Sequence, residues 1–216
     1  MPRRALMEHR PWLLAGVIAA VAYYVFQGSI KVEPIEIALK GAGVGFLAIY
    51  ALRRAPGPDG LILTVALALS ALADMALELW FEAGGALFAA SHLVAIALYM
   101  RNRRESPSLS QRLLGLALLI AVPALSYALS GDPLIGVYAI TLGAMAAAAW
   151  TSRFPRYRVG IGALLFVVSD WLIFSHIGPF DFAPLPDLLV WPLYFAGQLM
   201  IATGVVQTLR GEHPVP

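Results

Sequence analysis

Apolar residues occur along this chain in eight long runs, each bounded by charged residues, prolines or glycines. The hydrocarbon core of a bilayer is roughly 30 Å thick, and an α-helix of about 20 apolar residues crosses it. The pattern therefore predicts an all-α, polytopic membrane protein with eight transmembrane helices joined by short loops. We place the spans at residues 11–27, 35–52, 61–80, 85–100, 111–129, 134–150, 159–177 and 188–209.

Composition indicates the same class of protein. Of the 216 residues, 60% are hydrophobic and 13% are charged, which is more apolar surface than a soluble domain of this size can bury. Because the loops are too short to form a separate soluble unit, we expect residues 1–216 to form a single transmembrane domain. The first span follows arginines, as a signal peptide does, but aromatic residues such as Trp12, Tyr23 and Tyr24 are typical of a helix that is retained.

Positive charge is distributed unequally between the two sets of loops. Thirteen of the fifteen basic residues lie in the N-terminus, the C-terminus and every second loop. The opposite loops hold Lys31 and several acids, and Lys40 lies within an apolar span. Because cytoplasmic loops are enriched in basic residues, we expect both termini in the cytoplasm, in a protein of a bacterial inner membrane. The thirteen are Arg3, Arg4, Arg10, Arg53, Arg54, Arg101, Arg103, Arg104, Arg112, Arg153, Arg156, Arg158 and Arg210.

Several kinds of site are missing from the sequence. It has no cysteine, which excludes disulfides, thiolate catalysis and zinc–thiolate sites. His9 and His213 are terminal, His176 lies near a helix end, and no HExxH motif occurs, so we expect neither a metal nor another cofactor. The sequence also lacks the GxSxG motif that is typical of a serine nucleophile. The arginines are scattered and form no basic patch interleaved with stacking aromatics, so we expect no nucleic-acid partner.

Polar side chains interrupt six of the apolar spans at a similar depth. A rise of 1.5 Å per residue places them roughly 9 to 12 Å below the loops that face away from the cytoplasm. An ionised group near the bilayer centre costs about 2.5 to 3.5 kcal/mol on insertion scales, so each such residue is a candidate for function. The layer contains Lys40, Asp74, His92, Tyr138, Asp170 and Tyr194, with Gln198 one turn deeper.

The uncharged members of this layer also have a structural interpretation. Tyr138 and Tyr194 can be interfacial anchors, a common use of tyrosine in membrane helices. His92 and Gln198 can form hydrogen bonds with neighbouring helices.

The charged members differ in how readily they reach water. Lys40 can extend toward the interface or pair with Glu36 one turn away, and Glu36 and Glu78 both lie near helix ends. The short carboxylates of Asp74 and Asp170 cannot reach water from this depth along their own side chains. We therefore predict that these two aspartates are functional and that they meet in one dehydrated chamber.

The positions of the two aspartates suggest an internal duplication. The third and seventh spans run in the same direction, and each carries its aspartate about two-thirds of the way along. Four helices separate them, as in two parallel four-helix repeats. Chance similarity between Ala/Leu-rich helices explains the same observation.

Two carboxyl groups in a dehydrated chamber are compatible with three functions. A protonated carboxyl can act as general acid while an ionised partner stabilises an oxocarbenium ion or orients water. The same pair can carry protons in a small-solute or proton-coupled transporter. The acids can also hold helices together in a protein without turnover. The residues alone leave these alternatives open.

A set of short motifs resembles a known family. In chain order these are Lys40, Ala73-Asp74, Ser91-His92, VYAITLGAMAA from Val137 to Ala147, GALLFVVSD from Gly162 to Asp170, and YFAGQ from Tyr194 to Gln198. Their order and spacing resemble the YhhN, or lysoplasmalogenase-like, family of eight-helix membrane proteins. Gly41, Ala73 and Ala95 depart from the residues common in that family, which we expect to affect substrate specificity more than the fold.

The resemblance implies hydrolysis of the vinyl ether bond of lysoplasmalogens, a reaction of ether-lipid metabolism that releases a fatty aldehyde and a glycerophospho-alcohol. It implies that one of Asp74 and Asp170 donates the proton and that the other stabilises the cation and acts as base for water. The lysophospholipid substrate would reach the site sideways from the surrounding membrane lipids, and the reaction requires no metal. Candidate substrate-binding residues are Lys40, Glu78, His92, Tyr138, Tyr194 and Gln198.

Overall fold

The computed structural model describes residues 10–29, 33–180 and 182–211. These described residues fold into eight α-helices and contain no β-strand, which confirms the all-α prediction. A short π-helical turn, Arg156–Gly160, leads directly into the seventh helix. The helices are α1 Arg10–Phe26, α2 Glu33–Arg54, α3 Gly57–Leu77, α4 Phe81–Arg101, α5 Leu109–Ser130, α6 Pro133–Thr151, α7 Ile161–Ile177 and α8 Leu185–Leu209.

Seven of the helices in the described part of the chain, α2 to α8, are long and apolar enough to cross a bilayer, with the π-helical turn included in the crossing that contains α7. Large apolar side chains such as Leu61, Leu116 and Ile120 are more than half exposed on the outside of the bundle, where lipid would cover them. The chain is therefore an integral membrane protein. At 17 residues, α1 falls short of the span length, so the eighth crossing stays a prediction.

Several helices begin earlier than the apolar runs indicate. The third begins at Gly57 instead of residue 61, and the fourth at Phe81 instead of residue 85. The predicted starts mark where apolar residues become continuous, whereas a helix can begin in the interface, where water satisfies its first N–H groups. Pro58 lies in the first turn of α3, where its missing N–H removes no helical hydrogen bond.

Glycines allow close helix packing at two places. A β-carbon on Gly197 of α8 would lie 2.6 Å from the carbonyl oxygen of Gly162 of α7, and the reverse distance would be 2.7 Å. A β-carbon on Gly16 of α1 would lie 2.9 Å from the carbonyl oxygen of Gly43 of α2. Backbones therefore meet directly at both contacts, as small residues permit in membrane helices.

The helix contacts agree only in part with an internal repeat. If α1–α4 and α5–α8 are repeats, α2 corresponds to α6 and α4 corresponds to α8. The contact of α2 with α8 then has the contact of α6 with α4 as its counterpart, and both are present. The contacts of α5 with α7 and of α3 with α8 have no counterpart among the described residues. The duplication stays a prediction.

The segments after α4 and α6 meet the beginning of α3 at one end of the bundle, which we call the arginine end. Asn102 Nδ2 donates a 2.8 Å hydrogen bond to Asp59, and Arg153 Nε donates a 2.7 Å hydrogen bond to Asn102 Oδ1. Arg101 pairs with the same Asp59 carboxylate at 2.9 Å. This grouping agrees with the alternation of charge between loops, while the side of the membrane stays a prediction. Arg3, Arg4, Lys31 and Asp181 lie outside the described residues.

Candidate active site

Asp170 of α7 lies at the wall of a cavity of about 370 Å³. The residue is 6% exposed, and its Oδ2 accepts a 2.8 Å hydrogen bond from Tyr138 Oη of α6. Tyr138 lines the same cavity. This hydrogen bond fixes one carboxyl oxygen, which leaves the other oxygen free to act on a molecule in the cavity.

The cavity lies among the end of α3, the first half of α4, the beginning of α6 and the second half of α7. Its wall is mostly apolar, so it suits a hydrocarbon chain next to one carboxyl group. The lining residues are Leu77, Phe81, Glu82, Gly85, Ala86, Phe88, Ala89, Asp132, Leu134, Ile135, Val137, Tyr138, Asp170, Ile173 and Phe174.

Exposed lining residues at the beginnings of α4 and α6 mark the mouth of the cavity. Phe81, Leu134 and Val137 line the cavity and are also exposed on the outside of the bundle. Glu82 and Asp132 lie at the same mouth, where α4 and α6 begin, and Asp132 caps α6 by accepting a 2.8 Å hydrogen bond from the Leu134 N–H. The mouth therefore joins a lipid-facing apolar surface to two carboxylates at the helix ends.

Asp74 belongs to a second polar cluster, between α3 and α8. It is 2% exposed, and its Oδ2 accepts a 2.8 Å hydrogen bond from Tyr194 Oη. One turn away on both helices, Gln198 Nε2 donates a 3.1 Å hydrogen bond to Ser70 Oγ. Ser70 lies 2.8 Å from Ser91 Oγ of α4. Polar contacts therefore connect three helices around Asp74.

Lys40 and Glu78 form an ion pair at the edge of the Asp74 cluster. Tyr23 Oη donates a 3.4 Å hydrogen bond to the same Glu78 carboxylate, and the Lys40 ammonium lies 5.6 Å from the centre of the Tyr23 ring. Lys40 thus pairs with Glu78 of the next helix, while Glu36 accepts a hydrogen bond from a loop N–H.

His92 lies between the two aspartate clusters and is 1% exposed. Its Nδ1 is 3.2 Å from Thr141 Oγ1, and the Thr141 hydroxyl donates a 2.8 Å hydrogen bond to the carbonyl oxygen of Tyr138. The centre of its ring lies 5.5 Å from that of Tyr138 and 5.2 Å from that of Phe166. His92 therefore supports the tyrosine that holds Asp170.

The described residues do not place the two aspartates in the expected single chamber. Of the two, only Asp170 lines the large cavity. Phe88 forms part of the wall and packs at 5.6 Å against Tyr194, which in turn holds Asp74. Aromatic rings therefore separate an open site at Asp170 from an enclosed cluster at Asp74. Helical rise predicts the depth of a residue, but the packing of the rings decides which residue faces the cavity.

The predicted substrate-binding residues occupy three different places. Of these residues, Tyr138 lines the large cavity. His92 and Gln198 line a smaller inner cavity. Contact between these residues and a substrate stays a prediction. The Asp74 cluster and its edge contain the remaining three, Tyr194, Lys40 and Glu78.

Four further residues belong to the site and were not predicted. Ser70 lies one turn before Asp74, the same spacing as between Tyr194 and Gln198, so matched i, i+4 pairs were an available signal. Thr141 lies within an apolar run, three residues after Tyr138. Phe88 and Phe166 lie in helices that are apolar on most sides, where the sequence gives no signal for an inward-facing ring.

No group of three or more His, Cys, Asp or Glu residues in the described ranges is placed to hold a metal ion. His9 and His213 lie outside those ranges, and His176 lies at the end of α7 remote from the arginine end.

Comparison with known proteins identifies the family. The model of the YhhN family matches residues 35–205, a range that contains both aspartates and the whole lining of the large cavity. The chain is also 31% identical over 184 residues to lysoplasmalogenase TMEM86A of Bos taurus, a match that covers 77% of this chain and 71% of that protein. No solved structure matches the chain significantly. The chain therefore belongs to the YhhN family.

Proposed function

We propose that this chain is a membrane hydrolase that cleaves the vinyl ether bond of lysoplasmalogens. The observation that carries the proposal is the hydrogen-bonded pair of Asp170 and Tyr138 at the wall of a mostly apolar cavity whose mouth is lined by exposed apolar residues. Similarity to a protein named lysoplasmalogenase supports the choice of substrate class.

The shape of the cavity fits a single-chain lipid taken from the bilayer. The headgroup would stay at the mouth near Glu82 and Asp132, and the alkenyl chain would lie among side chains such as Phe88 and Phe174. The vinyl ether of a lysoplasmalogen lies just below the headgroup. A lipid in this position brings the bond toward Asp170.

The reaction begins with a proton from the Asp170 carboxyl. The proton forms a C–H bond at the second alkenyl carbon, and the π electrons that form it leave an oxocarbenium ion on the carbon attached to oxygen. Water adds to that carbon and gives its proton to the Asp170 carboxylate, which restores the acid. The resulting hemiacetal breaks its C–O bond to glycerol while its hydroxyl proton passes to the glycerol oxygen, so that a fatty aldehyde and a glycerophospho-alcohol leave.

Tyr138 and Asp74 support this chemistry in different ways. The Tyr138 hydroxyl donates to Asp170 Oδ2, so its hydrogen bond strengthens as negative charge develops on that carboxylate. Asp74 lies behind Phe88 and Tyr194, and an ionised Asp74 stabilises the cation through space. Asp170 is thus the catalytic acid in this proposal, and Asp74 is the electrostatic partner.

The topology forms part of the same proposal. The arginine end faces the cytoplasm of a bacterial inner membrane, both termini lie on that side, and residues 1–216 form one domain. The cavity then opens in the outer leaflet.

Aldehyde release from a set of lysolipids tests the proposal. Purified wild type should release aldehyde from alkenyl lysolipids and none from matched alkyl ether lysolipids, which lack the double bond that accepts the proton. Asp170→Asn keeps the size of the side chain and the acceptor for Tyr138, but its amide has no acidic proton. We therefore expect the rate of aldehyde release to fall by about 100- to 10,000-fold. Asp74→Asn should lose less activity.

Asp187→Asn is the matched control, because Asp187 is an exposed aspartate in the first turn of α8. It should retain full activity, and all variants should keep their melting behaviour. Wild type that releases no aldehyde would overturn the proposal. Solute uptake into proteoliposomes that is lost in Asp74→Asn, without hydrolysis, would favour a transporter instead.

A further inference from the structure

A smaller cavity lies inside the core, with His92 among its lining residues. Its volume is about 20 Å³, which is enough for one water molecule. Eleven of its twelve lining residues are buried. Four of the lining residues carry polar side chains that can bind a water, namely Ser91, His92, Tyr99 and Gln198.

The hydrogen bonds around His92 define what its free nitrogen requires. The Thr141 hydroxyl donates to the Tyr138 carbonyl oxygen, so Thr141 Oγ1 can accept a hydrogen bond from Nδ1–H of His92. In the neutral imidazole, Nε2 is then an acceptor. Nε2 is buried and has no hydrogen-bond partner among the described residues. A buried polar atom of this kind is destabilising unless a donor reaches it.

The hydrogen bonds around Gln198 leave a free acceptor on the other side of the cavity. Gln198 Nε2 donates to Ser70, Ser70 and Ser91 are hydrogen-bonded, and the Ser91 hydroxyl donates to the carbonyl oxygen of Ala66 at 2.9 Å. In this series of hydrogen bonds, Gln198 acts as a donor through its amide N–H. Its Oε1 can therefore accept a hydrogen bond. A water between the two residues has two hydrogens to donate, one for each acceptor.

We propose that this inner cavity is a water-binding site and that its water donates hydrogen bonds to His92 Nε2 and Gln198 Oε1. The water joins α4 to α8. It thereby connects the hydrogen-bonded serines Ser70 and Ser91 to the ring of His92, which packs on Tyr138. His92 is a positioning residue in this arrangement. Its two edges are held by Thr141 and by the water, so its ring keeps Tyr138 in place against Asp170.

The water site itself is independent of the proposed function, and only its kinetic consequence rests on that function. The direct test is a crystal structure of the full chain, grown in a lipid phase, at a resolution that shows ordered water. We expect a density peak about 2.7 to 3.2 Å from His92 Nε2. A well-resolved cavity without such a peak would overturn the inference, whatever the enzyme does.

Ala95 provides a kinetic test that leaves every polar group in place. It lines the inner cavity, so Ala95→Val and Ala95→Leu add carbon atoms where the water is proposed to lie. We expect both variants to lose the density peak and to reduce kcat about tenfold, the loss typical of supporting residues, with KM within about twofold of wild type. Both variants should also lower the apparent melting temperature, because loss of the water leaves His92 Nε2 without a donor.

Ala97→Leu is the matched control, since Ala97 lies two residues further on the same helix and is exposed. It should keep both the water and the wild-type kcat. Wild-type kcat in an Ala95 variant that has lost the water would refute the positioning role. Wild type with the water but without any hydrolysis would refute the proposed function and leave the water site intact.

Discussion

Removal of the Tyr138 hydroxyl is the most informative single change at the site. In Tyr138→Phe, the ring remains and keeps its contacts with His92 at 5.5 Å and Phe174 at 6.0 Å, measured between ring centres. The change removes the 2.8 Å hydrogen bond to Asp170 Oδ2. The Asp170 carboxylate that forms during proton transfer then lacks its donor.

The size of the effect follows from the charge on that carboxylate. A hydrogen bond to a charged group contributes about 1.5 to 3 kcal/mol, which corresponds to roughly 10- to 150-fold in rate. Asp170 borders the cavity, so water can replace the lost donor when the site is unoccupied. We therefore expect kcat for aldehyde release to fall by this factor while the apparent melting temperature changes little.

Tyr194→Phe is the matched comparison, because it removes a hydroxyl that donates to an aspartate over the same 2.8 Å. Asp74 is 2% exposed and lines no large cavity among the described residues, so water cannot replace this donor. We expect a destabilisation of about 1 to 3 kcal/mol, seen as a lower melting temperature, and a smaller loss of kcat. Wild-type kcat in Tyr138→Phe, or equal effects of the two substitutions on rate and stability, would refute the reasoning.

Three other predictions concern the fold and its orientation. Gly197→Ala places a β-carbon 2.6 Å from a carbonyl oxygen and should destabilise the bundle by about 1 to 3 kcal/mol. Gly45→Ala is the control, because the nearest atom to its β-carbon would be 3.9 Å away, and it should not destabilise the bundle. Equal melting temperatures of the two variants would contradict the close packing. Asn102→Ala removes the residue that joins Asp59 to Arg153, and a melting temperature unchanged from wild type would contradict its role. The chain has no cysteine, so Glu33→Cys should react with an impermeant maleimide from outside intact cells and Glu105→Cys should not; the reverse would invert the proposed topology.

The sequence predicts the depth of the polar residues better than their partners. Asp74, Asp170, Tyr138 and Tyr194 were expected in one layer, and each tyrosine does reach an aspartate. Depth is predictable because every residue of a helix adds the same rise.

Direction around the helix axis is harder to predict in this chain. The runs that carry Tyr138 and Asp170 are apolar on most sides, so no polar face indicates which side points inward. Phe88 could therefore not be assigned to the wall between the two clusters. For the same reason the sequence left Lys40 either extended toward the interface or paired with Glu36 of its own helix, whereas the neighbouring α3 supplies Glu78.

The position of the new hydrogen in the product tests the central chemical claim most directly. When wild type hydrolyses a lysoplasmalogen in D2O and the aldehyde is trapped at once, the carbon next to the carbonyl should carry one deuterium, because the acid protonates that carbon. Asp170→Asn should release almost no aldehyde under the same conditions. Aldehyde without deuterium at that carbon, or deuterated aldehyde formed at the wild-type rate by Asp170→Asn, would contradict proton donation by Asp170.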